Sequence, residues 1–475
     1  MKQKILRLYK SDHLIGRSAK YLFDKVPYSF FKSRNYISNI KELKRFEGLS
    51  ESEIVKWKFN MLSKVIENAY YHSPFYSNLY KSNNFHPDEF RTLEDISKIP
   101  TISKQDITKN TDDLICKNYN KKNLIPSFSG GSTASPLKIY IEKGQADREA
   151  SYFEYIYGKY GYRYGKDKCI IIKGDKIANI QNDKLVLSKI KPILKTLIFD
   201  SDYLNKLEYL DTYLTDIEDF ESDVLFGYPS SIYQLARSIK ASGKKPPHFR
   251  LILLASENTY DDQNQFIKDT FGAEDLFFHY GHSEQVIAAY KVNISNELAF
   301  IPSYGHVELL KNNKNIFGMD DSSIGELVGT NYSMGYPLIR YRTNDFAINS
   351  TKKKSMFNDQ LVVNSIEGRL QEFIVTSDKR LVSLCSIAGA HLKSISKALD
   401  TQYMQKEPGQ ITLNIVENKN NPFTENDILE IKKELDEKLE HTVKTSIKIV
   451  NKILKLPSNK KSMISQSLNI NDYAL

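Results

Sequence analysis

Only three cysteines occur in 475 residues, Cys116, Cys169 and Cys385, and they lie far apart with no Cys-x-x-Cys pair. That argues against a disulfide framework or a structural zinc site and fits a reducing cytoplasm. No stretch approaches the roughly 18 consecutive apolar residues of a membrane-spanning helix. The opening MKQKILRLYK has charge but no apolar segment behind it, which predicts no secretory signal. There is no internal repeat, no low-complexity tract and no Walker-type Gly-Lys-Ser/Thr. A one-sided charge is missing from most of the chain. The net charge is +9, and residues 1–34 alone hold nine Lys/Arg against Asp12 and Asp24. The remainder is nearly balanced, which argues against a broad nucleic-acid-binding face.

What is present is an ordinary globular balance, 40% apolar and 26% charged, in a chain long enough for one large domain and a smaller one. The basic arm interleaves its charge with Leu6, Leu8, Leu14, Ile15, Tyr21, Leu22, Phe23, Phe30 and Phe31. Two readings stand: these apolar residues pack on the main domain, or the segment lies on an anionic membrane surface.

Residues 50–72 are predicted to form a helix, with Ser50 or Ser52 as cap, Ile54, Trp57, Met61, Val65 and Ile66 at helical spacing, and Pro74 beyond its end. From about 125 to 310, short apolar strands (168–172, 224–227, 251–255, 276–279) alternate with helical patterns such as 231–240 and 261–270. That order predicts a mostly parallel sheet flanked by helices. After about 295, strands at 306–310, 326–330 and 339–341 follow one another through turns, as in an antiparallel subdomain. Beyond Gly368–Arg369 come strands, a helix over 425–440 with Thr424 and Asp427 as capping box, and a strand at 446–450. The expected fold is therefore α/β plus α+β. A basic arm (1–40) and a large core domain (41–368) precede a small, mobile α+β domain (369–475).

Five segments carry candidate chemistry. SFSGGSTASPLKIY (127–140) packs small and hydroxyl residues between two strands, a loop suited to a polyphosphate or simply a turn. HYGHSEQV (279–286) follows an apolar strand, where ligands of α/β sheets bind. There Glu284 suits Mg²⁺ and Ser283 a phosphate oxygen, unless Ser283 merely caps a helix. GELVGTNYSMGYPLIRYRTNDFA (325–347) ends on Asp345, which could grip two ribose hydroxyls or cap its own turn. Gly368–Arg369 and LPSNKKSM (456–463) complete the set.

In this order the five segments resemble the adenylate-forming superfamily of acyl-CoA synthetases, amino-acid adenylation domains and luciferases. Within it the chain is most similar to the phenylacetate–CoA ligase family, in the branch found with capsule and other surface-polysaccharide genes. SPFYSNLY (73–80), IPTISKQDI (99–107), FGYPSSIYQLA (226–236), YGHSE (280–284) and PLIRYRTND (337–345) are the branch-like pieces, and the likeness covers nearly the whole chain.

The resemblance implies a phosphate loop of Ser129, Gly131, Ser132 and Thr133, the last two on the β/γ-phosphates of ATP. It implies Tyr280 against the adenine with Gly281 beside it, Ser256 and Glu257 at the neighbouring strand end, and Ser283 on the α-phosphate. Glu284 would hold Mg²⁺, Asp345 the ribose, and Arg369 would lie near the nucleotide. Lys460, with Lys461 as fallback, would bridge substrate carboxylate and α-phosphate, and Gln371 would be the hinge.

Four positions depart from the pattern. Gly130 and Ala134 replace the first and last residues of the usual loop, and Asn344 and Asn459 stand where glycine is usual. Asn adopts the left-handed conformation readily, so both Asn positions are expected to keep a glycine-like backbone.

The implied reaction makes an acyl-AMP from ATP, Mg²⁺ and a carboxylic acid, then passes the acyl group to an amine, hydroxyl or thiol, with CoA as one acceptor. The setting is the cytoplasm or the inner face of the membrane. Tyr228, Tyr152 and Tyr155 are the candidates for the acyl pocket, or are simply packing residues. A non-catalytic nucleotide binder and a membrane scaffold remain as other readings.

Overall fold

The structure, a computed structural model, describes residues 32–128 and 137–473 apart from short stretches, among them 370–372, 385–394 and 454–462. Helices are numbered α1–α9 and strands β1–β23 along the chain. Two compact units result. Of the described residues, the first gathers those as far as Phe46 with those of Lys143–Ala255 and Phe266–His279; the second gathers those of Glu47–Glu142, Ser256–Gln265 and Tyr280–Leu475.

The first unit holds β3 (Cys169–Lys173), β7 (Thr196–Asp200), β8 (Val224–Gly227), β9 (Leu251–Ala255) and β10 (Asp275–Gly281). They pair in parallel in the order β7-β3-β8-β9-β10, and β6 (Ser188–Lys191) joins β7 antiparallel. The final residues of β10, Tyr280 and Gly281, belong to the second unit. Every residue of β9 is buried, as an all-apolar LILLA run requires when both faces of a strand are covered. Helices α5 (Gln145–Lys159), α6 (Leu210–Phe220), α7 (Pro229–Ser242) and α8 (Asp261–Phe271) lie between these strands in sequence, and a small hairpin, β4 (Asn179–Gln181) and β5 (Lys184–Val186), completes the unit. Pro229 opens α7 and Gly243, at φ +67°, ends it in the left-handed conformation. The predicted alternation is thus present, with 224–227 and 251–255 matched residue for residue. Helix α1 (Arg34–Glu47) begins beside a half-buried contact: Lys32 and Tyr36 both bond Glu154 of α5, the tyrosine hydroxyl at 2.6 Å.

In the second unit, α2 (Glu51–His72) is capped by Ser50, with Glu53 reaching back to the Ser50 N–H at 2.8 Å. Pro74 then opens α3 (Pro74–Ser82) with Ser73 as its cap. A hairpin of β1 (Leu124–Phe128) and β2 (Lys138–Glu142) flanks the Gly/Ser-rich loop, with Phe128 opposite Lys138. The antiparallel strands are β11 (Ala288–Val292), β12 (Leu298–Phe300), β13 (Gly305–Lys311), β14 (Lys314–Asn315), β15 (Ile324–Asn331), β16 (Tyr341–Asn349) and β17 (Val362–Arg369). Their order is β14-β13-β15-β16-β17-β12-β11. The expected strand at 339–341 is corrected. Ile339 and Arg340 are irregular, Arg340 has φ +52°, and the strand starts only at Tyr341.

After β17 come the pair β18 (Phe373–Val375) and β19 (Leu381–Ser383), and then a four-stranded sheet. It runs β22 (Lys444–Ile449), β21 (Gln410–Glu417), β20 (Ala398–Glu407), β23 (Ile464–Gln466). Helix α9 (Glu425–Lys438) starts with the predicted Thr424–Asp427 capping box. It buries Ile431, Leu435 and Leu439 in a core that includes Ile374, Tyr403, Leu413 and Ile464, every buried member of which lies beyond residue 373. No helix among the described residues is long and apolar enough to cross a membrane.

Candidate nucleotide site

Three of the branch-like segments, far apart in sequence, meet at Ile339–Tyr341. The buried Tyr76 hydroxyl accepts the Ile339 N–H at 2.8 Å. Ile102 bridges to Tyr341, accepting from the Arg342 N–H at 2.9 Å and donating to the Arg340 carbonyl at 3.0 Å. Arg340 is 4% exposed and binds Glu308 with two nitrogens, at 3.0 and 2.8 Å; it also donates to the Ser97 and Ile99 carbonyls. Burial pushes the Glu308 carboxyl up, and the guanidinium opposes that shift. The left-handed backbone at Arg340 is therefore held by a buried ion pair and two carbonyls.

That anchor feeds directly into a bulge. Opposite β15 the register slips: Val328 faces Arg342 and Glu326 faces Phe346, so Thr343, Asn344 and Asp345 stand against Leu327 alone. Asn344 has φ +59°, the glycine-like conformation expected of it. Glu326, 3% exposed, accepts the Asn344 N–H at 3.1 Å and the Arg342 Nε–H at 2.8 Å, which pins the bulge from below. The extra residues turn Asp345 toward Tyr280, whose hydroxyl donates to Asp345 Oδ2 at 2.6 Å. Both side chains are nearly buried, at 8% and 9% exposure. Across the sheet, Asp345 is the register partner of Arg369, next to Gly368 at φ +89°.

Beyond Tyr280, β10 ends at Gly281 and the chain makes a tight turn in place of a helix start. Gln285 donates to the His282 carbonyl at 3.0 Å and takes φ +51°. The turn carries Ser283, exposed, and Glu284, half-buried, whose Oε1 accepts from the Tyr341 hydroxyl at 3.4 Å. Ala255 pairs with His279, so Ser256 and Tyr280 are the residues that follow on adjacent parallel strands; Ser256 is left-handed at φ +71° and Glu257 comes next. Tyr280, Ser283, Glu284 and Asp345 are therefore brought together, with the Arg369 backbone opposite Asp345. Ser129, Gly131, Ser132, Thr133, Gln371, Lys460 and Lys461 lie outside the described residues, as do Gly130, Ala134 and Asn459.

The aromatic candidates sit in the first unit. Tyr152 is buried, its hydroxyl 3.0 Å from an Arg148 nitrogen, and Tyr155 is buried beneath Lys159. Tyr228 is half-buried just before α7 and donates its N–H to the Ile172 carbonyl at 3.0 Å. A side chain at Gly227 would meet that same carbonyl at 2.2 Å, so only glycine lets β8 pass so close to β3.

The α5 residues that reach the strand ends are neighbours the sequence reading passed over, Phe153 and Tyr157. The Phe153 ring lies tilted against His279 with centroids 4.1 Å apart, and the Tyr157 hydroxyl lies 2.6 Å from His279 Nδ1. Burial, aided by the Lys173 charge, holds the His279 pKa down to about 3, so the ring is neutral. Lys173, the last residue of β3, has Nζ 3.8 Å from the centre of the Phe226 ring. A helix position four residues from another, paired with a strand-end histidine, is the one signal that could have marked them.

No cluster of three or more His, Cys, Asp or Glu among the described residues would hold a metal alone. Magnesium needs less from a protein: one or two carboxylates, with substrate phosphates and waters completing its shell. Glu284, half-buried and steadied by Tyr341, fits that demand.

No established protein-family profile matches the chain. Among solved structures, it is similar to 2-hydroxyisobutyryl-CoA ligase in the postadenylation state in complex with R3-HIB-AMP. The TM-score is 0.67 at 15% identity, over 89% of this chain and 92% of that one. The same ligase with 2-HIB-AMP and CoA matches with TM-score 0.54 at 14% identity, over 90% of this chain and 93% of that chain. The chain therefore has the fold of the adenylate-forming ligases, as the order of its motifs implied. Among curated proteins it is similar to Protein CapK of Staphylococcus aureus, 25% identical over 434 residues, which span 90% of this chain and 92% of that protein.

Proposed function

We propose that the chain is an ATP-dependent adenylate-forming ligase, joining a carboxylic acid to AMP with release of pyrophosphate. The observation that carries this reading is the Tyr280–Asp345 pair, set beside the Glu284 turn in a chain with this fold. Asp345 is a carboxylate oriented by a phenol, and in this reading it accepts from two ribose hydroxyls with little reorganisation. Ser283, exposed in the turn, supplies a hydroxyl for the α-phosphate. Glu284 would hold Mg²⁺, which offsets phosphate charge when bound. Ser132 and Thr133 would take the β/γ-phosphates, and Lys460 would lie between the substrate carboxylate and the α-phosphate. A carboxylate oxygen attacks the α-phosphorus, the bond to the β-phosphate breaks, and pyrophosphate leaves with the negative charge.

The acyl-AMP is a mixed anhydride and must be kept from water until an acceptor arrives. We read residues 369–475 as a domain hinged at Gln371 that serves this purpose; their separate core supports the division. The acceptor is an amine, hydroxyl or thiol in surface-polysaccharide assembly, a setting suggested by the likeness to Protein CapK and to the capsule-associated branch. The alternative acceptor is CoA, as in the ligase that shares the fold. A pyrophosphate-release screen over aryl, amino and sugar acids, with and without CoA, tests both. Release that needs one acid class supports the ligase, and no release with any acid counts against it.

A further inference from the structure

His282 is the one residue between Gly281 and Ser283, inside the turn that carries Glu284. Its two ring nitrogens are both buried, and neither has a hydrogen-bond partner among the described residues. Its ring neighbours are two tyrosines set edge-on, Tyr280 at 6.0 Å and Tyr341 at 6.5 Å between centroids. Both phenol hydrogens are committed elsewhere, that of Tyr280 to Asp345 at 2.6 Å and that of Tyr341 to Glu284 at 3.4 Å. A neutral imidazole always carries one N–H donor and one acceptor nitrogen. Burying both without a partner is unfavourable, and such groups are rare enough in folded proteins that each calls for a physical reason.

The bracketing tyrosines supply that reason. One is tied to the carboxylate assigned to the ribose, the other to the carboxylate assigned to the metal and polyphosphate. A nucleotide reaching from Asp345 to Glu284 runs from its sugar to its phosphates, and the group between them is the 5′-phosphate. A phosphate oxygen offers acceptors only, and the two carboxylates nearby repel it. The residue as a whole is half-buried. A half-turn about Cβ–Cγ exchanges the nitrogen and carbon edges of the ring while keeping its outline.

We propose that His282 is a ligand-contacting residue that donates its ring N–H to an oxygen of the nucleotide 5′-phosphate. This rests on the nucleotide reading of the site, and the test separates the two. Binding of AMP and of adenosine to the full-length chain is measured by calorimetry for wild type, His282→Leu and His282→Asn, each checked for an unchanged melting temperature. The expected result is a His282→Leu protein that binds adenosine within about twofold of wild type and AMP about tenfold more weakly, with His282→Asn recovering part of the loss. Equal loss for both ligands, or loss for neither, in a folded protein overturns the phosphate contact. Wild-type protein that binds neither AMP nor adenosine overturns the nucleotide reading itself.

Discussion

The Tyr280 hydroxyl donates to Asp345 Oδ2 at 2.6 Å across 65 residues of sequence. This bond joins the end of β10 to the bulge in β16. Asp345→Ala should weaken ATP binding at least about tenfold, the loss expected when a charged hydrogen-bonding partner is removed. Tyr280→Phe keeps the ring and deletes only the bond to Asp345, so its loss should be smaller, roughly 1 kcal/mol. Calorimetric titration with ATP measures both, and unchanged affinity for Asp345→Ala removes Asp345 from the site.

The bulge makes a separate claim on Asn344. At φ +59° glycine is unstrained and a β-branched residue is not. Asn344→Gly should leave ATP affinity close to wild type. Asn344→Val should lower stability by about 1–2 kcal/mol and weaken ATP binding, because Asp345 is displaced with it. If Val is tolerated as well as Gly, the bulge does not aim the aspartate.

Acid should destabilise the protein through two histidines. Burial holds His279 and His306 at about 3, helped by Lys173 in the first case and by Lys58 and Arg340 in the second. The unfolded chain takes up these protons near the ordinary 6.5, so the stabilisation is complete above that value and is lost as pH falls from 6.5 toward 3. At one unit below 6.5 each ring should account for about 1.4 kcal/mol. Urea midpoints at pH 7.5 and about 5.5 give the test: the decline on acidification should shrink in His306→Gln and in His279→Phe. An identical decline in wild type and both variants contradicts it.

The two half-reactions should separate. Lys460→Ala should abolish acid-dependent pyrophosphate exchange, by about 100-fold or more, and still pass the acyl group from synthetic acyl-AMP to its acceptor. Gln371→Pro would restrict the proposed hinge and should do the reverse. Equal damage to both halves by Lys460→Ala removes the division of labour, and damage by Lys461→Ala in its place shifts the assignment by one residue.

Local chemistry made part of this legible in sequence. The apolar runs at 224–227 and 251–255, the cap at Ser50 and the capping box at Thr424–Asp427 depend on residues only a few positions apart. The left-handed Asn344 could be expected for the same reason, since its preference is intrinsic. Ile339–Tyr341 was misread because its apolar and aromatic residues suit a strand, while the left-handed turn at Arg340 is held by Glu308 and two distant carbonyls. The face of α5 that meets the strand ends was hidden by composition: Tyr152, Phe153, Tyr155 and Tyr157 are all aromatic and all buried. Spacing alone could not single out Phe153 and Tyr157. The His282 ring, without a hydrogen-bond partner among the described residues, was hidden too, because a histidine beside Ser and Glu has no signature until its neighbours are known.

The central claim, activation of a carboxylate by adenylation, is tested most directly by isotope exchange between pyrophosphate and ATP over a panel of carboxylic acids. Wild type and Asp345→Ala are compared at equal concentration with Mg²⁺. The account predicts exchange that appears only when one class of acid is added, and that falls at least about tenfold in the variant. Exchange absent with every acid from a wild-type protein that binds ATP, or equally fast in the variant, would contradict it.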